Sequence, residues 1–573
     1  MAPRGPSSIS PRAPPKNGAE ALVRALHEGG VDVCFANPGT TEMWLVGALD
    51  SLGPDAIRPV LGLHETVVSG AADGYARMAR KPACTLLHLG PGLANALANL
   101  HNARRANSPV LVIVGDQSTW HHGADSLLET DIESLASTVS SWVRTSDIPG
   151  AIRADAIDAL EATRRRESNA PATSKGRVAT LVVPHDRGWE KPDGPDGAFV
   201  ALSEVLTVEE AVRVGDPKPI DANKVRGFLA QCAAAVVACS PGKCAFYAAG
   251  DATLADDGAL DALGKVAAVT GAHVLCENAF ARVDRGGTLP HLTRLPYFPK
   301  DAAAALEAYE VVVTCDARRP IAMFGYDGQG PSHLLRQTDD DVWEIDCGGD
   351  VAGNVKVLLE EVVKIVGENV ADAKIAAKAA QRPPPPKMPL DEKLNPVALC
   401  AVVACSQPAR CIVVDESLTS GGSYWDQSAG CPEFTHVTLT GGAIGFGPPA
   451  SVGAAVACPD RWVINLQADG SAMYSTQALW TQARESLKVI TVVCANRAYQ
   501  ILKIEMAMQR VGPSGPVAKS LTDLTQPAID WVSVAKGHGV PASTVNTVRE
   551  LRAALEEAFA RSGPTLIEAN LAA

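Results

Sequence analysis

Trp462 to Ala498 reads WVINLQADGSAMYSTQALWTQARESLKVITVVCANRA, and this stretch decides the fold. Two apolar runs, Val463 to Leu466 and Val489 to Cys494, flank a helix-like segment from Met473 to Glu485, and the first run breaks at Ala468-Asp469-Gly470-Ser471. Strand, tight turn, helix, strand is the pattern of a buried parallel sheet, whose strands are covered on both faces and carry continuous apolar runs. Asp469 stands just past the first strand and Asn496 just past the second. Ligands gather outside the carboxyl ends of such strands, so the two side chains are expected to meet there. A carboxylate, a carboxamide oxygen and a nearby backbone carbonyl are hard oxygens suited to Mg²⁺, which shares its shell with substrate phosphates and water. Gly470 is expected to let the chain turn tightly, with the next helix N-terminus toward a phosphate. The competing structural reading is an ordinary strand-turn-helix with Asp469 as its cap.

Working outward, 573 residues predict several domains, and 46% apolar residues suffice for buried cores. A net charge of −13 argues against a nucleic-acid-binding surface. It leaves room for a diphosphate ligand, because a divalent ion and helix N-termini can supply a local positive field. Most of the 14 cysteines sit inside apolar runs, among them Cys34, Cys84, Cys239, Cys315, Cys458 and Cys494, and no CxxC pair occurs. Small buried thiols in a reducing, cytoplasmic compartment are the expectation. No run approaches eighteen uninterrupted apolar residues, so no membrane span is expected. The start, MAPRGPSSISPRAPPKNG, has no acid before Glu20 and no apolar signal segment. Residues 1–17 read as a disordered tail, with a short organelle-targeting peptide as the second reading.

Strands and helices alternate over 18–188, with strands at Val31–Phe35, Pro59–Leu63, Cys84–Leu89, Val110–Val114 and Val178–Val183. That alternation predicts one doubly wound domain. A turn-rich linker is expected over 189–214, a second α/β domain over 215–366 and a Pro-rich linker over 367–394, where Pro383 to Pro386 favour an extended chain. A third domain, 395–573, carries the opening stretch. The fold class is therefore α/β, three doubly wound parallel-sheet domains. In the middle domain Ala249-Gly250-Asp251 falls short of the GxGxxG nucleotide fingerprint, which disfavours a nicotinamide-dependent dehydrogenase.

Three more stretches join the opening one: Phe35-Ala36-Asn37-Pro38-Gly39-Thr40-Thr41-Glu42, Gly62-Leu63-His64-Glu65 leading into AADGYAR, and Leu439-Thr440-Gly441-Gly442-Ala443-Ile444-Gly445. With these in order, the chain resembles thiamin-diphosphate-dependent enzymes of the acetolactate synthase, pyruvate oxidase and benzoylformate decarboxylase group, nearest the acetolactate synthase large-subunit homologues. The likeness runs from Gly18 to Ala573. It implies a pyrimidine-binding domain, a central domain and a diphosphate-binding domain, with thiamin diphosphate and Mg²⁺ as cofactors. It also implies active sites between subunits of a homodimer or homotetramer.

By resemblance, Glu65 is the carboxylate set against the cofactor's pyrimidine N1′, although a helix-starting Glu on the macrodipole is the structural alternative. Ile444 matches the residue that bends the cofactor, with a plain core residue as its alternative, and the Gly442 carbonyl matches the acceptor for the 4′-amino group. Asp469, Asn496 and the Ala498 carbonyl match the metal ligands. Gly470 and Ser471 match the diphosphate turn. Thr419 is a further phosphate donor or an ordinary turn residue. Ala468 stands where the family's motif has glycine, which is tolerable if its φ stays negative.

On the substrate side, Thr40 matches a serine and His88 an acid/base histidine of the benzoylformate enzymes, a role imidazole suits near neutral pH. His88 also reads as a hydrogen-bonded core histidine. His121 and His122 resemble the paired histidines of pyruvate decarboxylases or are exposed loop residues. The implied activity is decarboxylation of a 2-oxo acid by a lyase or transferase, with pyruvate carboligation to 2-acetolactate as the named expectation. Aldehyde release from benzoylformate and a catalytically idle cofactor-binding homologue are the alternatives. FAD is not expected, because the middle domain shows no fingerprint for it.

Overall fold

The computed structural model describes residues 14–53, 55–164, 176–191, 222–328, 330–337, 339–345, 350–390, 393–512 and 515–571. Most of the proposed tail at 1–17, most of the proposed linker at 189–214, and 215–221 lie outside the described residues.

The first sheet contains β1 (Val33–Asn37), β2 (Arg58–Leu61), β3 (Ala83–His88), β4 (Val110–Asp116), β5 (Trp142–Thr145) and β6 (Val178–Pro184). Their order is β2-β1-β3-β4-β6-β5, and every pairing is parallel. β3, β4 and β6 are almost wholly buried, which is why their apolar runs are continuous. β5 lies at an edge with every side chain half-buried, so it leaves no apolar run to read.

The central sheet, in the order β10-β8-β7-β11-β12, is built from β7 (Cys244–Ala248), β8 (His273–Cys276), β10 (Thr293–Arg294), β11 (Val311–Cys315) and β12 (Val342–Ile345). Between β8 and β10 in the chain, β9 (Arg282–Arg285) leaves this layer and joins the third sheet. That sheet runs β17-β18-β16-β15-β13-β14-β9, from β13 (Ile412–Glu416), β14 (Phe434–Thr438), β15 (Val463–Ala468), β16 (Val489–Ala495), β17 (Ala542–Val545) and β18 (Thr565–Asn570). All its pairings are parallel except β14 with β9. β9 reads RVDR, a charged stretch that patterning assigns to a loop. It is buried because each charge is satisfied: Arg282 pairs with Asp284 at 3.0 Å, and the Arg285 guanidinium lies 3.5 Å over the Trp425 ring. In the stretch read as a Pro-rich linker, Glu368–Ala379 forms a helix with Ala371 buried.

The first and third layers meet through helices Glu65–Ala79 and Gly447–Ala457. A Cβ at Gly74 would lie 2.2 Å from the Ala450 oxygen, and one at Gly453 would lie 1.9 Å from the Ala71 oxygen, so only glycine allows this approach. Arg77 fastens the joint: its guanidinium holds Asp73 in two bonds of 2.8 and 2.6 Å and donates to the Thr438 carbonyl at 2.7 Å, the Ala281 carbonyl at 3.2 Å and Thr440 Oγ1 at 3.0 Å. The pair is almost fully buried. Asp73→Ala leaves that guanidinium buried without its counter-charge and is expected to destabilise the fold by about 3–5 kcal/mol, read as a lowered denaturation midpoint. Among the described residues no helix is long and apolar enough to cross a membrane.

Candidate active site

At the carboxyl edge of the third sheet, Ala468 of β15 stands opposite Cys494 of β16, so the residues that follow each strand are neighbours. Asp469 is buried, and its carboxylate accepts from Gly470 N at 2.8 Å and from Arg497 N at 2.6 Å, which ties the two strand ends together. Burial pushes this carboxyl up, and the Arg497 and Gly470 N–H groups pull it part of the way back. Asn496 accepts from Ala498 N at 3.0 Å and donates to Ser420 Oγ at 3.3 Å. The Ala498 carbonyl, two residues past Asn496, accepts from Gln500 N at 2.9 Å; a carboxylate, a carboxamide and a carbonyl at neighbouring strand ends are oxygens of the kind that Mg²⁺ takes.

Ala468 has φ −73° and ψ 143°, so glycine is not required there. Gly470 departs from its expected role. It lies in a single helical turn, Asp469–Ala472, and its φ is not positive. Glycine is required for space instead: a Cβ would lie 2.5 Å from the Tyr499 ring. Ser471 is buried, and Thr419 lies in a short turn, Leu418–Gly421. The loop from Gly441 to Gly447 lies at the carboxyl end of β14. Gly442 has φ +78° and is exposed, and Ile444 is half-buried rather than a core residue.

The first sheet contributes the other half. Glu65 opens the helix after β2, is 7% exposed, and accepts from Asn37 Nδ2 and Asn95 Nδ2, each at 2.9 Å. Two carboxamides therefore fix the direction of its carboxylate. The sequence alone gives neither asparagine a role, yet a signal exists. Asn95, Asn99 and Asn102 recur at helical spacing on Leu89–Arg105 and so share a face. Asn99 Nδ2 donates to the Thr66 carbonyl at 2.9 Å and the Gly445 carbonyl at 3.4 Å, and Asn102 reaches the Ala443 carbonyl at 2.8 Å. One helix face thus runs from Glu65 to the loop carrying Ile444.

His88 ends β3, 22% exposed, and its Nδ1 donates to Glu42 Oε2 at 2.8 Å. Glu42 is fully buried and also accepts from Gly39 N at 2.6 Å and Thr41 Oγ1 at 2.5 Å. Glu42 is a second residue that spacing could not single out, because only the close packing of the β1 turn on the imidazole brings them together. Thr40 is exposed on that turn, and it is the adjacent Thr41 hydroxyl that lies 3.3 Å from His88 Nδ1. His122 approaches Asp116, at the end of β4, at 3.2 Å; burial pushes the Asp116 carboxyl up. His121 packs edge-on against the exposed Trp120.

Leu89, Leu418 and Arg497 take left-handed φ of +49°, +52° and +57°. Each costs roughly 1–2 kcal/mol for a non-glycine residue, and each adjoins a candidate position, although other non-glycine residues such as Arg80, Asn107 and Ser486 take the same conformation away from it. A separate cavity of about 730 Å³ lies between the first and central layers. Arg105, Arg177, Glu277, Asp316 and Arg318 line it and none of the candidate residues does.

The geometry defines a class, and comparison with known proteins agrees. The family descriptions "Thiamine pyrophosphate enzyme, N-terminal TPP binding domain" and "Thiamine pyrophosphate enzyme, C-terminal TPP binding domain" match residues 16–135 and 424–569. The chain belongs to the thiamine pyrophosphate (thiamin diphosphate)-dependent enzymes. It is 43% identical to the "Putative acetolactate synthase large subunit IlvX" of Mycobacterium tuberculosis, over 96% of this chain and 98% of that protein. It is 27% identical to the benzoylformate decarboxylase of Pseudomonas aeruginosa, over 96% and 97% of the two chains. In structure it is similar to the thiamine diphosphate-dependent 4-hydroxybenzoylformate decarboxylase of Rhodococcus jostii, with a TM-score of 0.76 at 24% identity over 97% and 99% of the chains.

Proposed function

We propose that this enzyme uses thiamin diphosphate and Mg²⁺ to decarboxylate a 2-oxo acid and join the remaining fragment to a second carbonyl, with pyruvate giving 2-acetolactate. The observation that carries the reading is the Glu65 carboxylate, aimed by Asn37 and Asn95 at the carboxyl edge of the first sheet. Bound thiamin diphosphate supplies the electron sink for cleaving the bond to the leaving carboxylate. Glu65 would hold a proton against the cofactor's pyrimidine ring, the Gly442 carbonyl would accept a hydrogen bond from its amino group, and Ile444 would pack against the cofactor. Asp469, Asn496 and the Ala498 carbonyl hold the metal, and Gly470, Ser471 and Thr419 receive the diphosphate. Purified enzyme given both cofactors and pyruvate should accumulate acetolactate; no turnover of pyruvate would defeat this reading.

A benzoylformate-type decarboxylase is the second reading, favoured by the His88–Glu42 pair. Glu42 fixes Nδ1 as the protonated nitrogen, which leaves Nε2 to exchange protons with substrate, with Thr40, His121 and His122 as further substrate-side residues. Aldehyde from benzoylformate without acetolactate from pyruvate would select it. Large apolar side chains stand exposed beside both halves of the site: Trp44 and Leu63 near Glu42 and Glu65, Met473 and Tyr474 near Ser471. A second copy of the chain would cover them in the homodimer or homotetramer that we propose, in which Glu65 completes a neighbour's site. We read the enzyme as cytoplasmic and without FAD; a yellow purified protein would overturn the latter.

A further inference from the structure

Glu416, at the end of β13, is 1% exposed and is not among the residues proposed to touch cofactor, metal or substrate. Its Oε1 accepts from Gly445 N at 2.7 Å, and its Oε2 accepts from Gly447 N at 2.6 Å and from Gln467 Nε2 at 3.0 Å. The first two donors belong to the loop that carries Gly442 and Ile444 and to the first residue of helix Gly447–Ala457, where a negative charge also meets the positive end of the helix dipole. The third donor leads elsewhere. Gln467 Nε2 also donates to Ser471 Oγ at 2.6 Å, and Ser471 Oγ donates to the Ala468 carbonyl at 3.1 Å, inside the turn that carries Asp469.

The packing leaves no slack around this chain of bonds. A Cβ at Gly447 would lie 2.0 Å from Gln467 Oε1, 2.6 Å from Asn465 Oδ1 and 3.1 Å from Glu416 Oε2. Among the described residues, Gln467 Oε1 and both polar atoms of the Asn465 side chain are buried without a hydrogen-bond partner, a cost of burial that close packing around the group must offset. Burial pushes the Glu416 carboxyl up, while the N–H donors from Gly447, Gln467 and Gly445 favour its ionised form.

We propose that Glu416 is a positioning residue that, through Gln467 and Ser471, sets the Gly441–Gly447 loop and the Asp469–Ala472 turn at a fixed distance, so that the two ends of one cofactor are received together. This rests on the reading above that the pyrimidine end lies at the first loop and the diphosphate end at the second turn. Partners one layer behind a ligand-binding group typically change affinity by about 10–100-fold when removed, and that range is the expectation here.

The test uses the full chain. In Glu416→Gln, one carboxylate oxygen becomes an NH₂ facing a backbone N–H. Hydrogen–deuterium exchange over 441–447, measured without cofactor, should become faster, and thiamin diphosphate affinity with Mg²⁺, followed by tryptophan fluorescence, should fall by about 10–100-fold. Glu416→Asp, which keeps the charge, should recover part of that affinity. Gln467→Leu separates the link from the loop anchor, because Gly445 N and Gly447 N keep their acceptor: exchange over 441–447 should rise less than in Glu416→Gln while affinity still falls. It also decides the matter if Glu416→Gln does not fold. Parent-like exchange and affinity in Glu416→Gln, or parent-like affinity in Gln467→Leu, would overturn the proposal. Failure of the unmodified protein to bind thiamin diphosphate would instead overturn the functional reading, and the exchange result would then decide the anchoring role of Glu416 on its own.

Discussion

Glu65→Gln is expected to lower turnover by about 10²–10⁴-fold, the usual worth of a positioned proton-transfer group, while thiamin diphosphate and Mg²⁺ still bind. Gln has nearly the volume of Glu, so the helix start and its packing survive. Its carboxamide has one oxygen where the carboxylate has two, however, and both Asn37 and Asn95 donate to that group. One asparagine must turn its own oxygen inward, at a cost of about 1 kcal/mol for the exchanged hydrogen bond. What is lost is the ability to hold and release a proton, because a carboxamide does not titrate in this range. Steady-state turnover and a cofactor titration on the same preparation check both halves of the expectation. A variant that turns over at the parental rate would remove Glu65 from the reaction, and one that no longer binds cofactor would make it a binding residue instead.

Asp469→Ala is expected to act on the other half and in the other order, removing cofactor binding first. Two backbone donors, Gly470 N and Arg497 N, end on this carboxylate. Each loses its acceptor at a cost of about 1–3 kcal/mol if left buried. The donor set loses its only charge, and Mg²⁺ is bound by one or two carboxylates together with substrate phosphates. An affinity loss of at least about 100-fold is expected on that basis. Calorimetric titrations with thiamin diphosphate, run with and without Mg²⁺, give the measurement. Parental affinity in the alanine variant, or affinity indifferent to Mg²⁺ in the parent protein, would place the metal elsewhere.

The two expectations separate because the residues belong to different sheets. Glu65 stands at the carboxyl edge of the first and Asp469 at that of the third, joined within the chain by the Asn95, Asn99 and Asn102 face and by the Gly74 and Gly453 contact. Destabilisation by Asp73→Ala would disturb both halves together, since Arg77 bonds to carbonyls of the central and third regions. The pattern across the three variants therefore distinguishes a chemical defect, a binding defect and a loss of the scaffold.

The sequence by itself determined the layered α/β class, the buried parallel strands and the neighbouring of the two strand ends that carry Asp469 and Asn496. Those follow from local rules: a strand covered on both faces must be continuously apolar, and residues just past the carboxyl ends of neighbouring parallel strands come together. The resemblance in its motifs supplied Glu65, Gly442 and Ile444. Tertiary structure alone decided the rest. β5 is an edge strand with no buried run, and β9 is a charged strand whose burial depends on partners far along the chain, so neither carries a periodic signal. The same holds for Glu42 behind His88 and Glu416 behind the Ile444 loop. Glu42 meets the imidazole of His88, and Glu416 accepts from the backbone of Gly445 and Gly447; which donors reach a carboxylate from far along the chain is set by where the chain returns, which no local spacing encodes. At Gly470 the turn was legible, but its cause, the Tyr499 ring against the backbone, was visible only once the two strand ends stood side by side.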